Sequence, residues 1–239
     1  MHRIFLEAKL ELNTQLEIND EQAHHLFNVL RMNPGDEIEV VDVNKNLFIA
    51  SLEKSSKFVV TTKVDVTTEP SVDITIFQGI PKKDKLEQVI KMGTEIGASR
   101  FVPVHMKRSV VKIKPEKVEK LVNRWSRIAL SASKQSKRQE IPLVSQPIEF
   151  EEMINRFDEY DLIICLYENE DNISLKDVNI KNYSKIALII GPEGGISNQE
   201  VKKLQATKTI FCSLGPRILR TETAGVVALS IILYLTGDI

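Results

Sequence analysis

From Val72 onward the chain repeats one pattern: an apolar run of strand length, then a segment with apolar residues at helical spacing. The runs are DITIFQGI, SRFVPVH, YDLIICLY, SKIALII and TKTIFCSL. Between and after them lie predicted helices over Lys82–Ile96, Pro115–Lys137, Asn198–Gln205 and Thr221–Leu235. Leu86, Val89, Ile90 and Gly93 share one side of the first of these. A strand that is apolar throughout, rather than at every second residue, must be covered on both faces. Repeated strand–helix alternation supplies those covers, so residues 72–239 are expected to form an α/β domain on a parallel sheet.

Residues 1–70 read differently. Arg3–Leu6, Glu37–Val43, Leu47–Glu53 and Phe58–Val66 are β-rich runs, with a turn at Asn33-Pro34-Gly35-Asp36. Asn19 or Asp20 can cap a helix reaching about Arg31, with Ala23, Leu26, Phe27 and Leu30 at helical spacing. Short strands at this spacing predict a small barrel, and Thr67–Ser71 is the expected boundary.

With 42% hydrophobic residues in 239, the chain can bury a core without disulfides or metal. Cys165 and Cys212 sit in apolar runs and read as buried free thiols. The apolar stretch Ala224–Leu235 falls short of the roughly 20 residues that cross a bilayer. The N-terminus has no apolar signal core, so no membrane partner and a cytoplasmic location are expected. Net charge is −1, but residues 82–138 hold 16 basic and 5 acidic side chains. Such a block can present a positive surface to a polyanion or simply form a solvated helix face.

Two segments have the character of ligand loops. Ile190-Gly191-Pro192-Glu193-Gly194-Gly195-Ile196 follows one apolar strand and precedes a helix. Leu214-Gly215-Pro216-Arg217-Ile218-Leu219-Arg220-Thr221-Glu222-Thr223-Ala224 does the same after the next. Ligands of α/β sheets bind at the carboxyl ends of strands, and glycine allows close backbone approach. Neither segment is a Walker loop or a G-x-G-x-x-G fingerprint. Thr221 or Thr223 could cap the last helix.

These paired segments resemble the SPOUT methyltransferases, and more narrowly the uridine-N3 methyltransferases of small-subunit ribosomal RNA. HHLFNVLRMNPGD, QGIPKKDKLEQVIKMGTEIGA, VPVHMKRSVVK and WSRIALSASKQSKRQEIP extend the resemblance through the whole chain. The chain departs from the family pattern at Lys134, where an acid is expected before Gln135. The resemblance implies an N-terminal PUA-like β-barrel and a SPOUT α/β domain ending in a trefoil knot. It further implies S-adenosyl-L-methionine as cofactor, no metal, a homodimer, and 16S ribosomal RNA of the small subunit as partner.

The cofactor would be held by Leu166, Ile190, Gly191, Glu193, Gly194, Gly195, Leu214, Gly215, Leu219, Arg220 and Thr223. Methylation at N3 builds negative charge on the uracil oxygens, which an arginine can stabilise. Arg220, Arg108 and Arg138 are the candidates, with Gln135 on a uracil edge. Glu222 would orient Arg220 or accept a proton. RNA contacts are expected from His2, Arg3, His24, Arg31, Lys82, Lys83, Arg108, Lys112 and Lys114, with Trp125 packed in the core. Two other readings compete: a SPOUT enzyme acting on another RNA site, and a non-enzymatic RNA-binding or ribosome-assembly module.

Overall fold

The computed structural model describes residues 1–54 and 56–239. The chain divides into two compact units. The first comprises Met1–Glu69 with Lys134–Glu140, the second Pro70–Ser133 with Ile141–Ile239.

The first unit is a five-stranded sheet. Its strands are β1 (His2–Phe5), β2 (Gln15–Glu17), β3 (Glu37–Val41), β4 (Leu47–Glu53) and β5 (Lys57–Val64), in the order β1-β3-β4-β5-β2. β1 pairs parallel to β3 and the other pairs are antiparallel. Among the described residues the outer strands β1 and β2 do not pair with each other, so the expected barrel is an open wall. β2 was not legible as a strand, having only three residues with one apolar side chain among them. Asn19 caps α1 (Asp20–Ala23) by accepting from the Gln22 amide. The helix then widens into a π-helix over His24–Val29. Ile38, Val40, Phe48, Ala50, Leu52, Phe58 and Val60 build the core beneath it.

The second unit is an all-parallel sheet. Its path is β12 (Ile210–Cys212), β10 (Leu162–Leu166), β11 (Lys185–Ile190), β6 (Asp73–Gly79), β7 (Arg100–His105) and β8 (Leu143–Val144). The short β9 (Ile148–Glu149) also pairs with β7. The apolar runs serve both faces, as their composition requires. Ile74, Ile76, Ile164, Leu188 and Ile190 join one core cluster, and Phe77, Val102, Ile163, Cys165 and Ile189 the other. The covering helices are α2 (Lys85–Ile96), α3 (Pro115–Gln135), α4 (Phe150–Asn155), α5 (Asn198–Gln205) and α6 (Thr221–Thr236). Trp125 of α3 is buried in the first cluster. Both thiols are free and buried. Burial pushes Cys212 up to about 12. Among the described residues no helix is long and apolar enough to cross a membrane.

The predicted helix to Lys137 ends at Gln135. Lys137 adopts a left-handed φ of 62°. Its carbonyl accepts from the Thr68 hydroxyl at 2.9 Å and from the Arg3 guanidinium. Its ammonium lies 2.9 Å from the Glu39 carboxylate. These contacts tie residues 134–140 into the first unit, although their sequence position put them in the second.

Candidate functional site

Strand register places several predicted residues at one edge of the parallel sheet. Ile190 at the end of β11 lies opposite Gln78 of β6, and Leu166 at the end of β10 lies opposite Cys212 of β12. The Gly191–Gly195 turn therefore leaves the same edge as the Leu214–Arg220 segment, on strands flanking β10. The two glycine-bearing segments are thus brought together, with Leu166 between their strands.

Two glycines outside the predicted set make this packing possible. A Cβ on Gly79 would fall 2.6 Å from Pro192 Cδ and 2.7 Å from its backbone nitrogen. A Cβ on Gly225 of α6 would fall 2.7 Å from Ile190 Cδ1. Neither close approach leaves a signal in a single sequence beyond the glycine itself. Gly195 has a φ of 69°, and a Cβ there would run into the Glu168 carboxylate. Gly215 has a φ of 99° and no atom within 4 Å of a would-be Cβ. Gly191 is hemmed by its own loop, with Ile196 Cγ1 3.0 Å from a Cβ position. A side chain there would distort the turn before it reached any ligand.

Charged groups converge on these loops. Arg108 reaches in after β7 and donates from Nη1 to the Gly194 carbonyl at 2.9 Å. Glu193 accepts from the Lys82 amide at 3.0 Å and meets Lys85 Nζ at 3.2 Å. Burial alone would raise the Glu193 carboxyl, but amide and Lys85 hydrogen bonds outweigh it and hold the group below its ordinary value. Glu222 was expected to orient Arg220. Its ion-pair partner is instead Lys85, 3.3 Å from Oε2. The reason is directional: Glu222 is 9% exposed and points into the fold, whereas Arg220 is exposed. Arg220 is itself the N-cap of α6, without a side-chain cap bond. Its carbonyl accepts from the Thr223 and Ala224 amides. Thr221 does not cap the helix; its hydroxyl turns back to donate to the Gly191 carbonyl at 2.6 Å. Thr223 is exposed.

Two predicted arginines are built into the first unit. Arg138 is 4% exposed and lies in a fork with Glu69, donating Nε at 2.9 Å and Nη2 at 2.5 Å. The other Glu69 oxygen accepts the amides of Gln139 and Glu140. Arg3 is 5% exposed and pairs with Glu39 at 2.9 Å. Releasing Arg138 to RNA would strand the shielded Glu69 carboxylate, and releasing Arg3 would leave Glu39 with Lys137 alone, so both are internal clasps in this structure. Gln135, which precedes that segment's turn, is exposed.

The remaining cationic candidates are accessible. His2, His24, Arg31, Lys82, Lys83, Lys112 and Lys114 are all exposed. His25 is exposed beside His24 on the π-helix. The His2 imidazole is held below its ordinary value by burial, then by the positive N-terminal amine, Lys137 and His25. At position 134, burial pulls the lysine ammonium down, partly opposed by Glu21. Among the described residues no group of acids, histidines and cysteines could hold a metal ion.

Comparison with known proteins agrees with this layout. A family model described as an RNA methyltransferase domain matches residues 68–233, and one described as an RNA methyltransferase PUA domain matches residues 18–63. The ribosomal RNA small subunit methyltransferase E of Bacillus subtilis is 37% identical, covering 99% of this chain and 97% of that protein. The protein of the same name from Buchnera aphidicola is 30% identical, covering 99% and 94%. A putative methyltransferase from Legionella pneumophila, solved with bound SAM, is 31% identical over 96% of both chains, with a TM-score of 0.87. The small subunit methyltransferase E of Neisseria gonorrhoeae, solved with S-adenosyl methionine, is 27% identical over 96% and 95%, also at 0.87. Matches to both domains in the observed order, together with full-length relatives of one name, place the chain in the RNA methyltransferase family, among the ribosomal RNA small subunit methyltransferases E.

Proposed function

We propose that the protein transfers a methyl group from S-adenosylmethionine to N3 of one uridine in 16S ribosomal RNA. The observation that carries this reading is the convergence of the two glycine-bearing loops at the carboxyl edge of the sheet, where α/β proteins hold their ligands. The loops fit the cofactor. Gly215 has open space where a side chain would be, and Ile218 beside it is 89% exposed. The Glu168 carboxylate against Gly195 suits a ligand that carries cationic groups. Leu166, Ile190, Gly191, Glu193, Gly194, Gly195, Leu214, Gly215, Leu219 and Thr223 would line that site. The bound cofactor supplies an electrophilic methyl group on a sulfonium.

The chain's own residues do the rest. The uracil must lose or loosen its N3 proton while held in line with the methyl group. Arg220, exposed at the threshold of α6, stabilises the charge that grows on the uracil oxygens. Arg108, anchored on Gly194, is the second donor. Lys82, Lys83, Lys112 and Lys114 hold phosphates, with His2, His24 and Arg31 of the first unit as further RNA contacts.

A homodimer and a trefoil knot belong to the same reading. α6 is apolar on nearly every side, and Val227, Ile231 and Tyr234 form an accessible stripe along it. Tyr234 is 72% exposed. A helix apolar all round needs cover on every face, and a second copy would provide it.

The test is methylation of small ribosomal subunits from a strain lacking the gene, followed by mapping of the modified nucleotide and atom. One uridine carrying an N3 methyl is expected. A ribose 2′-O methyl, or a product on transfer RNA, would overturn the assignment.

A further inference from the structure

We propose that Gln78 and Lys85, on either side of the β6–α2 connection, are positioning residues that set the spacing of the two cofactor loops. The proposal rests on the reading of those loops as the cofactor site. Gln78 is fully buried at the end of β6. Its amide nitrogen donates to Thr221 Oγ1 at 2.8 Å and to the Gly79 carbonyl at 2.9 Å, and approaches the Gly191 carbonyl at 3.4 Å. The Thr221 hydroxyl closes the triangle on the Gly191 carbonyl. The first residue of the 191–195 loop and the first residue of α6 are thereby locked together through one side chain.

Gln78 Oε1 is buried with no hydrogen-bond partner among the described residues. Rotating the amide would point that oxygen at two carbonyls, so the orientation is fixed by its surroundings. A core position asked only to be filled would carry an apolar side chain there, because an unpaired buried acceptor is costly. The residue is explained by what its nitrogen holds.

Lys85 makes the second lock, in the first turn of α2. Its ammonium lies 3.2 Å from Glu193 Oε1 and 3.3 Å from Glu222 Oε2. Glu193 belongs to the first loop and Glu222 follows the second. Without the ammonium the two loops lose the bridge that ties them, and the two carboxylates, left unscreened, also repel. Arg220 stands two residues before Glu222, so the same lock places the arginine assigned to the uracil oxygens.

The experiment measures S-adenosylmethionine affinity by calorimetry on the full chain, with the melting temperature and hydrogen exchange of each variant without ligand. Lys85→Met should weaken cofactor binding at least tenfold and raise exchange in both loops together. Lys85→Arg should recover most of the affinity, since a guanidinium can bridge two carboxylates. Thr221→Val should also weaken binding, by opening the Gln78 triangle. Lys85→Met also loses stability because Glu222 is left shielded without its cation, so Lys85→Met/Glu222→Gln is the decisive variant. It relieves the repulsion and should regain the melting temperature, but not the affinity. If that folded double variant binds cofactor like the wild type, the lysine only stabilises the fold and the positioning role is overturned, while the cofactor site stands. If the wild type itself fails to bind S-adenosylmethionine, the cofactor reading falls and the positioning role falls with it.

Discussion

Arg138→Met separates two roles that an arginine before QEIP could play. In the structure its guanidinium is 4% exposed and held by Glu69, whose side chain is 13% exposed. Removing one partner of a buried ion pair costs about 3–5 kcal/mol, chiefly because the other charge is stranded. Glu69 would retain two amide donors, Gln139 at 2.7 Å and Glu140 at 3.1 Å, which argues for the lower end, about 3 kcal/mol. For a unit of this size roughly 4–8 °C accompanies each kcal/mol, so the transition of the first unit should fall by about 12–24 °C. Arg138→Met/Glu69→Met removes the stranded charge and should recover much of that loss. The assay is calorimetric melting, with single-turnover methyl transfer measured well below the transition. The clasp predicts a shifted melt and near-normal turnover. An unshifted melt with abolished turnover would refute it and return Arg138 to the reacting uracil.

Arg220→Ala should lower single-turnover methyl transfer by roughly 10²–10³-fold at saturating RNA and cofactor, as the loss of one oxyanion donor does. A loss confined to cofactor affinity would make Arg220 a clamp and leave Arg108 as the donor. Gly215→Ala meets no neighbouring atom. It should cost only the ~1–3 kcal/mol of its left-handed backbone yet weaken cofactor binding by tenfold or more in calorimetry. Gly79→Ala, by contrast, collides with the Pro192 backbone and should lower the melting temperature first. For Glu39, burial alone would raise the carboxyl, but hydrogen bonds from Lys137 and Arg3 outweigh it and hold the folded pKa low. Its stabilisation is present above the unfolded value near ~4.3 and is lost as pH falls through the folded one. Glu39→Gln should therefore narrow the gap in denaturant midpoints between neutral and acid pH.

The sheet was readable because burial on both faces leaves strands such as KIALII and LIICL without polar interruption. The two glycine loops were readable because they follow such strands directly. The lock around Gln78 and Lys85 was not, since it joins residues more than a hundred positions apart through side chains with no local pattern. The partner of Glu222 was misjudged for the same reason: Arg220 is its neighbour in sequence, but Lys85 is its neighbour in space. Arg3 and Arg138 looked like surface cations because nothing in their sequence surroundings announces Glu39 or Glu69 as partners. The π-helix over HHLFNV was equally hidden, because one widened turn leaves the apolar spacing of a helix almost unchanged.

The return of residues 134–140 to the first unit has a consequence for how the chain is made. Met1–Glu69 emerge first from a ribosome, but Arg138 and Lys137 follow only after about 70 further residues. At roughly 5–20 residues/s that interval lasts several seconds. Through it Glu69 has no guanidinium and Glu39 lacks one of its two cations. The nascent N-terminal sheet is therefore completed late, by a segment that arrives after β6, α2, β7 and α3 have been synthesised. A fragment ending near residue 70 should be less stable than the same residues in the whole chain, and it is the supply of 134–140, not more of the linker, that should restore it.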